Sequence, residues 1–129
     1  MHEFSTMQAI VNAILEEAKK YKAKEINKVV LQIGELTFLG EEQMKFAFDI
    51  LKEGTLLEKA ELLIEKVQAR VRCKCGYKGS IDYGMKEEFH ITIPILKCPK
   101  CGSQVEIIKG RECLIKKVEM EVPDVPVKR

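Results

Sequence analysis

The sequence predicts an α+β fold: two helices and three longer strands, with a metal-binding lobe inserted before the last strand. Three observations predict it. Residues 6–22 and 41–52 repeat apolar side chains at helical spacing. Residues 28–33, 61–72 and 111–121 are dense in aliphatic residues and read as extended chain. Two cysteine pairs, Cys73 with Cys75 and Cys98 with Cys101, fall between the second and third of these strands.

The first helix opens on Ser5-Thr6-Met7-Gln8, which has the form of a capping box with Ser5 as N-cap. Met7, Ile10, Val11, Ile14, Leu15, Ala18 and Tyr21 then follow at i, i+3, i+4 spacing and form its core stripe. Lys19, Lys20 and Lys22 suit the negative end of the helix dipole. Val29, Val30, Leu31 and Ile33 form a buried strand that Gly34 ends. The second helix places Met44, Ala47, Phe48 and Leu51 on one face, with Gly54 as its stop. Residues 61–72 fit helix or strand about equally by periodicity. A single strand is expected, because Val71-Arg72-Cys73 must deliver an extended chain to the metal.

Ile81-Asp82-Tyr83 reads as a short strand and residues 89–96 as an extended arm returning to the second cysteine pair. Val105-Glu106-Ile107-Ile108 and residues 111–121 are two further strands around Gly110. The last is long and expected to rejoin the first sheet. The expected division is therefore 1–68 plus 111–122 as one lobe, 69–110 as an inserted lobe, and 123–129 as a loose tail.

Four thiolates around one Zn²⁺ make a closed tetrahedral site of the structural kind. Twenty-two residues separate Cys75 from Cys98, enough for the chain to fold back and bring the pairs together. Gly102 lets the second knuckle turn. The first pair is Cys-x-Cys, one residue shorter than the usual Cys-x-x-Cys. Disulfides are the competing reading. They are disfavoured because no signal peptide is present and reduced thiols dominate inside cells. A compact lobe of this size buries too little apolar surface to be very stable alone, so metal binding would supply what it lacks. Cys113 is left over and is expected to be a small buried residue of the last strand.

The 129 residues are 46 % hydrophobic and 33 % charged, a globular composition. No apolar run approaches a membrane span, so a soluble, cytoplasmic protein is expected. Net charge is +2, but from Ala69 to Gly110 there are eight Lys/Arg against four Asp/Glu. Part of that local excess is the counter-charge of the thiolate site. No G-x-x-x-x-G-K-[ST] occurs, so the chain carries no P-loop nucleotide site.

The chain begins Met1-His2-Glu3. A large second residue retains Met1, so its amine, the His2 amide nitrogen and the His2 imidazole can form fused chelate rings on one ion. Amide coordination requires deprotonation, which Cu²⁺ and Ni²⁺ promote far better than Zn²⁺, and nitrogen-rich tetragonal sites suit those two ions. Glu3 can fill a further position. Histidine is scarce, with only His2 and His90. A helix starting close behind holds this end against a folded lobe. The plain alternative is a frayed terminus.

Met1-His2-Glu3, the helix behind it, the strand ending Val30-Leu31-Gln32-Ile33-Gly34-Glu35-Leu36 and the late cysteine knuckles together resemble the HypA/HybF family. These are nickel metallochaperones of NiFe-hydrogenase maturation. The resemblance covers nearly the whole chain. It implies two helices packed on a three-stranded sheet, with a zinc-binding lobe inserted before the last strand. It implies His2 as the main nickel ligand with Met1 and Glu3 in support, structural zinc on Cys73, Cys75, Cys98 and Cys101, and His90 as the one candidate for an imidazole lent by the zinc lobe. It implies transported nickel, a nickel-handling GTPase and the hydrogenase large-subunit precursor as partners, and no catalytic role. The departure is Cys73-Lys74-Cys75, which bears on local geometry and leaves the ligand count at four.

Two other functions compete. A zinc-ribbon nucleic-acid module would use the basic segment and stack bases on Tyr77, Tyr83 and Phe89, against the acidic Asp82, Glu87 and Glu88 of the same stretch. A zinc enzyme needs an open coordination position, which four thiolates do not leave.

Overall fold

A computed structural model describes residues 2–80 and 97–123. In chain order it has α1 (Glu3–Lys20), β1 (Glu25–Gly34), a 3-10 turn (Glu35–Thr37), α2 (Glu41–Leu51), β2 (Glu61–Val67), β3 (Arg70–Arg72), β4 (Lys78–Gly79), β5 (Glu106–Lys109) and β6 (Cys113–Glu121). The strand expected at Ile81-Asp82-Tyr83, the arm over 89–96 and the tail from 124 lie outside the described residues.

The fold is α+β, as the sequence predicts. Two helices cover a three-stranded sheet of order β2-β1-β6. β1 is parallel to β2 and antiparallel to β6. The parallel pair follows from the crossover: α2 carries the chain back along the sheet, so β2 starts at the end where β1 started. The central strand buries Ile26, Val29, Leu31 and Ile33 under Met7, Val11, Ile14 and Ala18 of α1 and Met44, Ala47 and Phe48 of α2. Each such large side chain contributes about 1.5–3 kcal/mol on leaving water. β6 completes the layer with Ile115, Val118 and Met120.

The two helices run in the same direction. The Gly40 N–H at the start of α2 donates to Glu3 Oε2 in the first turn of α1, at 2.8 Å. At the opposite end, the Ile26 N–H donates to the Leu56 carbonyl beyond α2. Both helix N-termini therefore sit at the end of the sheet where β1 finishes.

The second sheet has order β4-β3-β5 and a small core of Ala69 and Val71, with Leu36, Tyr77, Val105 and Ile107 against them. Its root lies beside the end of β1. Gly34 and Gly110 approach so closely that a Cβ on Gly34 would stand 2.1 Å from the Gly110 carbonyl oxygen. Gly110 has φ +121°, and a Cβ there would meet the Ala69 Cα at 2.9 Å. Gly110→Ala is expected to cost roughly 1–2 kcal/mol from backbone strain alone. A shift in the urea midpoint at unchanged slope would show it.

Several expectations need correction. α1 begins at Glu3, not near residue 6, and Ser5 is not its N-cap. His2 holds that position, its carbonyl accepting the Thr6 N–H at 2.9 Å, while Ser5 Oγ donates to the same carbonyl at 3.2 Å. α1 also ends earlier, because Lys22 takes the left-handed conformation at φ +56°. Ala23 N–H to Ala18 carbonyl and Lys22 N–H to Lys19 carbonyl then close a Schellman motif without glycine. Residues 61–72 are not one strand. The chain leaves the first sheet after Val67 and enters the second at Arg70, because the Ala69 N–H is taken by the Glu35 carboxylate rather than by a ladder. Cys113 is exposed, not buried, since it is the first residue of the edge strand β6.

Candidate metal centres

The four cysteines converge. Their sulfurs all lie within 4.8 Å of one another. Cys73 Sγ is 3.4 Å from Cys101 Sγ, and Cys75 Sγ is 3.6 Å from Cys98 Sγ. Bonded sulfurs would stand about 2.05 Å apart. Four sulfurs at about 2.3 Å from a tetrahedral Zn²⁺ would be separated by roughly 3.8 Å. The cluster is close to that size, so its donor set and spacing fit structural zinc.

Local backbone geometry explains the convergence. In the first knuckle the Gly76 N–H donates to the Cys73 carbonyl and the Cys73 N–H to the Tyr77 carbonyl, both at 2.9 Å. Gly76 has φ +99°, which lets the chain turn directly after Cys75. In the second knuckle the Cys98 N–H donates to the Ser103 carbonyl at 2.7 Å and the Gly102 N–H to the Cys98 carbonyl at 2.9 Å. The Lys100 N–H points at Cys98 Sγ, 3.3 Å away. Cys98 is 3 % exposed and anchors the cluster, while Cys75 and Cys101 face solvent.

Four thiols this close cannot all ionise unaided, because the charges repel. Hydrogen bonds from Ser103 lead in lowering Cys101, to about 6. The Cys75 backbone lowers Cys73, but sharing a proton with Cys101, burial and the other two thiols outweigh it and raise Cys73 to about 11. Burial raises Cys98, yet the Cys101 and Lys100 N–H groups bring it below its ordinary value. A bound dication removes the conflict by stabilising all four thiolates.

At the other candidate centre, His2 is exposed at the N-cap of α1 and Glu3 is buried beside it. Burial pushes the Glu3 carboxyl up, but it titrates below the usual range, and hydrogen bonds from the Gly40 and Glu3 N–H groups help to hold it there. The carboxylate lies where two helix N-termini meet, which favours negative charge. Sequence reasoning missed its bond to Gly40, because no local pattern links residues 37 positions apart. Met1 and His90 lie outside the described residues.

Two of the features behind the nucleic-acid alternative, Tyr77 and Arg72, are in structural use. Tyr77 packs on Ala69 and Val71, and its hydroxyl donates to the Ser80 carbonyl. Arg72 is paired to Glu106 at 2.6 Å across β3 and β5. Tyr83 and Phe89 lie outside the described residues. No described helix is long and apolar enough to cross a membrane.

Residues 1–120 match the family described as "Hydrogenase/urease nickel incorporation, metallochaperone, hypA". The chain is 39 % identical over 125 residues to the hydrogenase maturation factor HypA of Methanothermobacter thermautotrophicus, covering 96 % of this chain and 100 % of that one. It is 41 % identical over 124 residues to the hydrogenase maturation factor HypA of Caldanaerobacter subterraneus, covering 94 % and 100 %. Among solved structures it is similar to the Ni metallochaperone HypA of Helicobacter pylori, with TM-score 0.64 and 29 % identity over 95 % of this chain and 100 % of that chain.

Proposed function

Since this chain belongs to the HypA family of nickel-incorporation metallochaperones acting in hydrogenase maturation, we propose that it binds Ni(II) through its N-terminus and delivers the ion to the maturing enzyme. The observation that carries this reading is the placement of His2. It is exposed, it caps a helix, and the next residue is pinned to a second helix through Gly40. On this reading the Glu3–Gly40 contact steadies the base of the chelating end, and the exposed His2 imidazole meets the ion.

The ligands on this reading are the Met1 amine, the His2 amide nitrogen and the His2 imidazole, with Glu3 in support. Nitrogen donors of this kind suit a square-planar Ni(II) ion. His90 would supply a further imidazole. The zinc cluster stays out of the transfer, because four thiolates close its coordination sphere. Residues 1–68 with 111–122 would form the nickel-carrying lobe, 69–110 the zinc lobe, and 123–129 a tail. The partners would be a nickel-handling GTPase and the hydrogenase large-subunit precursor, met in the cytoplasm. GTP dependence would come from the first of these, since this chain has no P-loop.

Transfer itself tests the reading. Nickel-loaded protein mixed with nickel-free large-subunit precursor should leave nickel in the precursor after separation. His2→Ala protein, treated alike, should leave none. Equal transfer by both would sink the proposal.

A further inference from the structure

We infer that the strained turn Glu35–Gly40 is a positioning element for the N-terminal chelate: it is clasped to the root of the second sheet at one end and holds Glu3 at the other. The inference rests on the N-terminal nickel reading above.

The clasp has four parts, three hydrogen bonds and one packing contact. Glu35 Oε1 accepts the Ala69 N–H at 2.8 Å. The Leu36 N–H donates to the Gly110 carbonyl at 2.7 Å, and the Gly34 N–H to the Glu112 carbonyl at 2.6 Å. The Leu36 side chain packs into the small core with Ala69 and Val71. Within the turn, Thr37 Oγ1 donates to the Gly34 carbonyl at 2.8 Å and accepts the Leu39 N–H at 3.2 Å. At the far end the Gly40 N–H reaches Glu3. An unbroken line of short contacts therefore joins Ala69 to the residue beside His2.

The turn is also held away from its relaxed shape. Phe38 has φ +56° and ψ +23°, a left-handed conformation that costs a bulky residue energy and persists only where its surroundings enforce it. A cleft of about 560 Å³ runs beside Phe38, Leu39, Val67 and Gln68. If the clasp opens, Phe38 can relax into that space, and Gly40 moves with it. The Gly40–Glu3 contact is then lost, and the first turn of α1 is held less firmly beside His2. Glu35 and Thr37 are positioning residues on this account, since neither needs to touch the ion.

Glu35→Ala and Glu35→Gln separate this from a general loss of stability. Glu35→Ala should weaken nickel binding roughly fivefold or more, keep one zinc per chain, and speed hydrogen exchange at the Gly40 amide of the nickel-free protein. Glu35→Gln keeps an acceptor oxygen for Ala69 and should restore both readouts. Thr37→Val, which removes the hydroxyl at nearly constant shape, should act like Glu35→Ala and serves if that variant folds poorly. Wild-type nickel affinity and Gly40 protection in Glu35→Ala and Thr37→Val overturn the inference. His2→Ala keeps the two readings apart. If it binds nickel normally, the N-terminal site itself is wrong, whatever Glu35 does.

Discussion

Replacing Cys98 by serine is expected to release the zinc and dissolve the second sheet while leaving the helices in place. Cys98 is the buried member of the cluster and sits in the tighter knuckle. A serine there fits the space, but its hydroxyl does not ionise at neutral pH and is a hard donor where the site wants a soft one. The cost is large because, among the described residues, the second sheet has a small core. Among the described residues, Ala69 and Val71 are the buried apolar members of its cluster, against thirteen in the first. A structural zinc contributes on the order of 10–16 kcal/mol in small domains, more than such a core supplies. Metal analysis should fall from about one zinc per chain towards zero. Amides of β3 and β5 should lose their protection from exchange, and the helical circular dichroism should stay. Acid should do the same to the wild type. Zinc binding displaces thiol protons, so stability that depends on the metal is present at neutral pH and lost as pH falls. Retained zinc in the serine variant would mean that Cys98 is not a ligand.

His2→Ala is expected to weaken nickel binding at least a hundredfold, about 2.8 kcal/mol. On the proposed reading it would remove one donor and break a chelate ring, so the amine would lose the arm that keeps the ion in place. The fold should not change, because His2 is exposed and makes no side-chain capping bond. Unchanged melting temperature and zinc content would show that the loss is local.

Much of this was legible in the residues, for identifiable reasons. The periodic stripe from Met7 to Ala18 and the Met44-Ala47-Phe48 face are local patterns, and both are buried as helices. The cysteine spacing carried the metal cluster, because ligand count and spacing are themselves the physics of a zinc site. What the residues hid is non-local. The strand over 61–72 splits because a carboxylate 34 positions earlier captures the Ala69 N–H. Nothing in its own sequence says so. The parallel pairing of β1 with β2 follows from the α2 crossover, not from either strand's pattern. Cys113 read as buried because small thiols in strands usually are, yet it stands at the open start of an edge strand. Gly34-Glu35-Leu36 reads in sequence only as the end of a strand, and its contacts with Gly110 and Glu112 join residues far apart in the chain.

On the proposed reading, nickel is held by Met1, His2 and Glu3. Adding two residues before Met1 converts the amine to an amide and leaves His2, Glu3 and the cysteines untouched. Nickel titration of the native and the extended protein, with zinc measured in both, tests the claim most directly. The account predicts about one zinc per chain in each and nickel binding weakened in the extended chain as severely as in His2→Ala. Equal nickel affinity in the two proteins would contradict it.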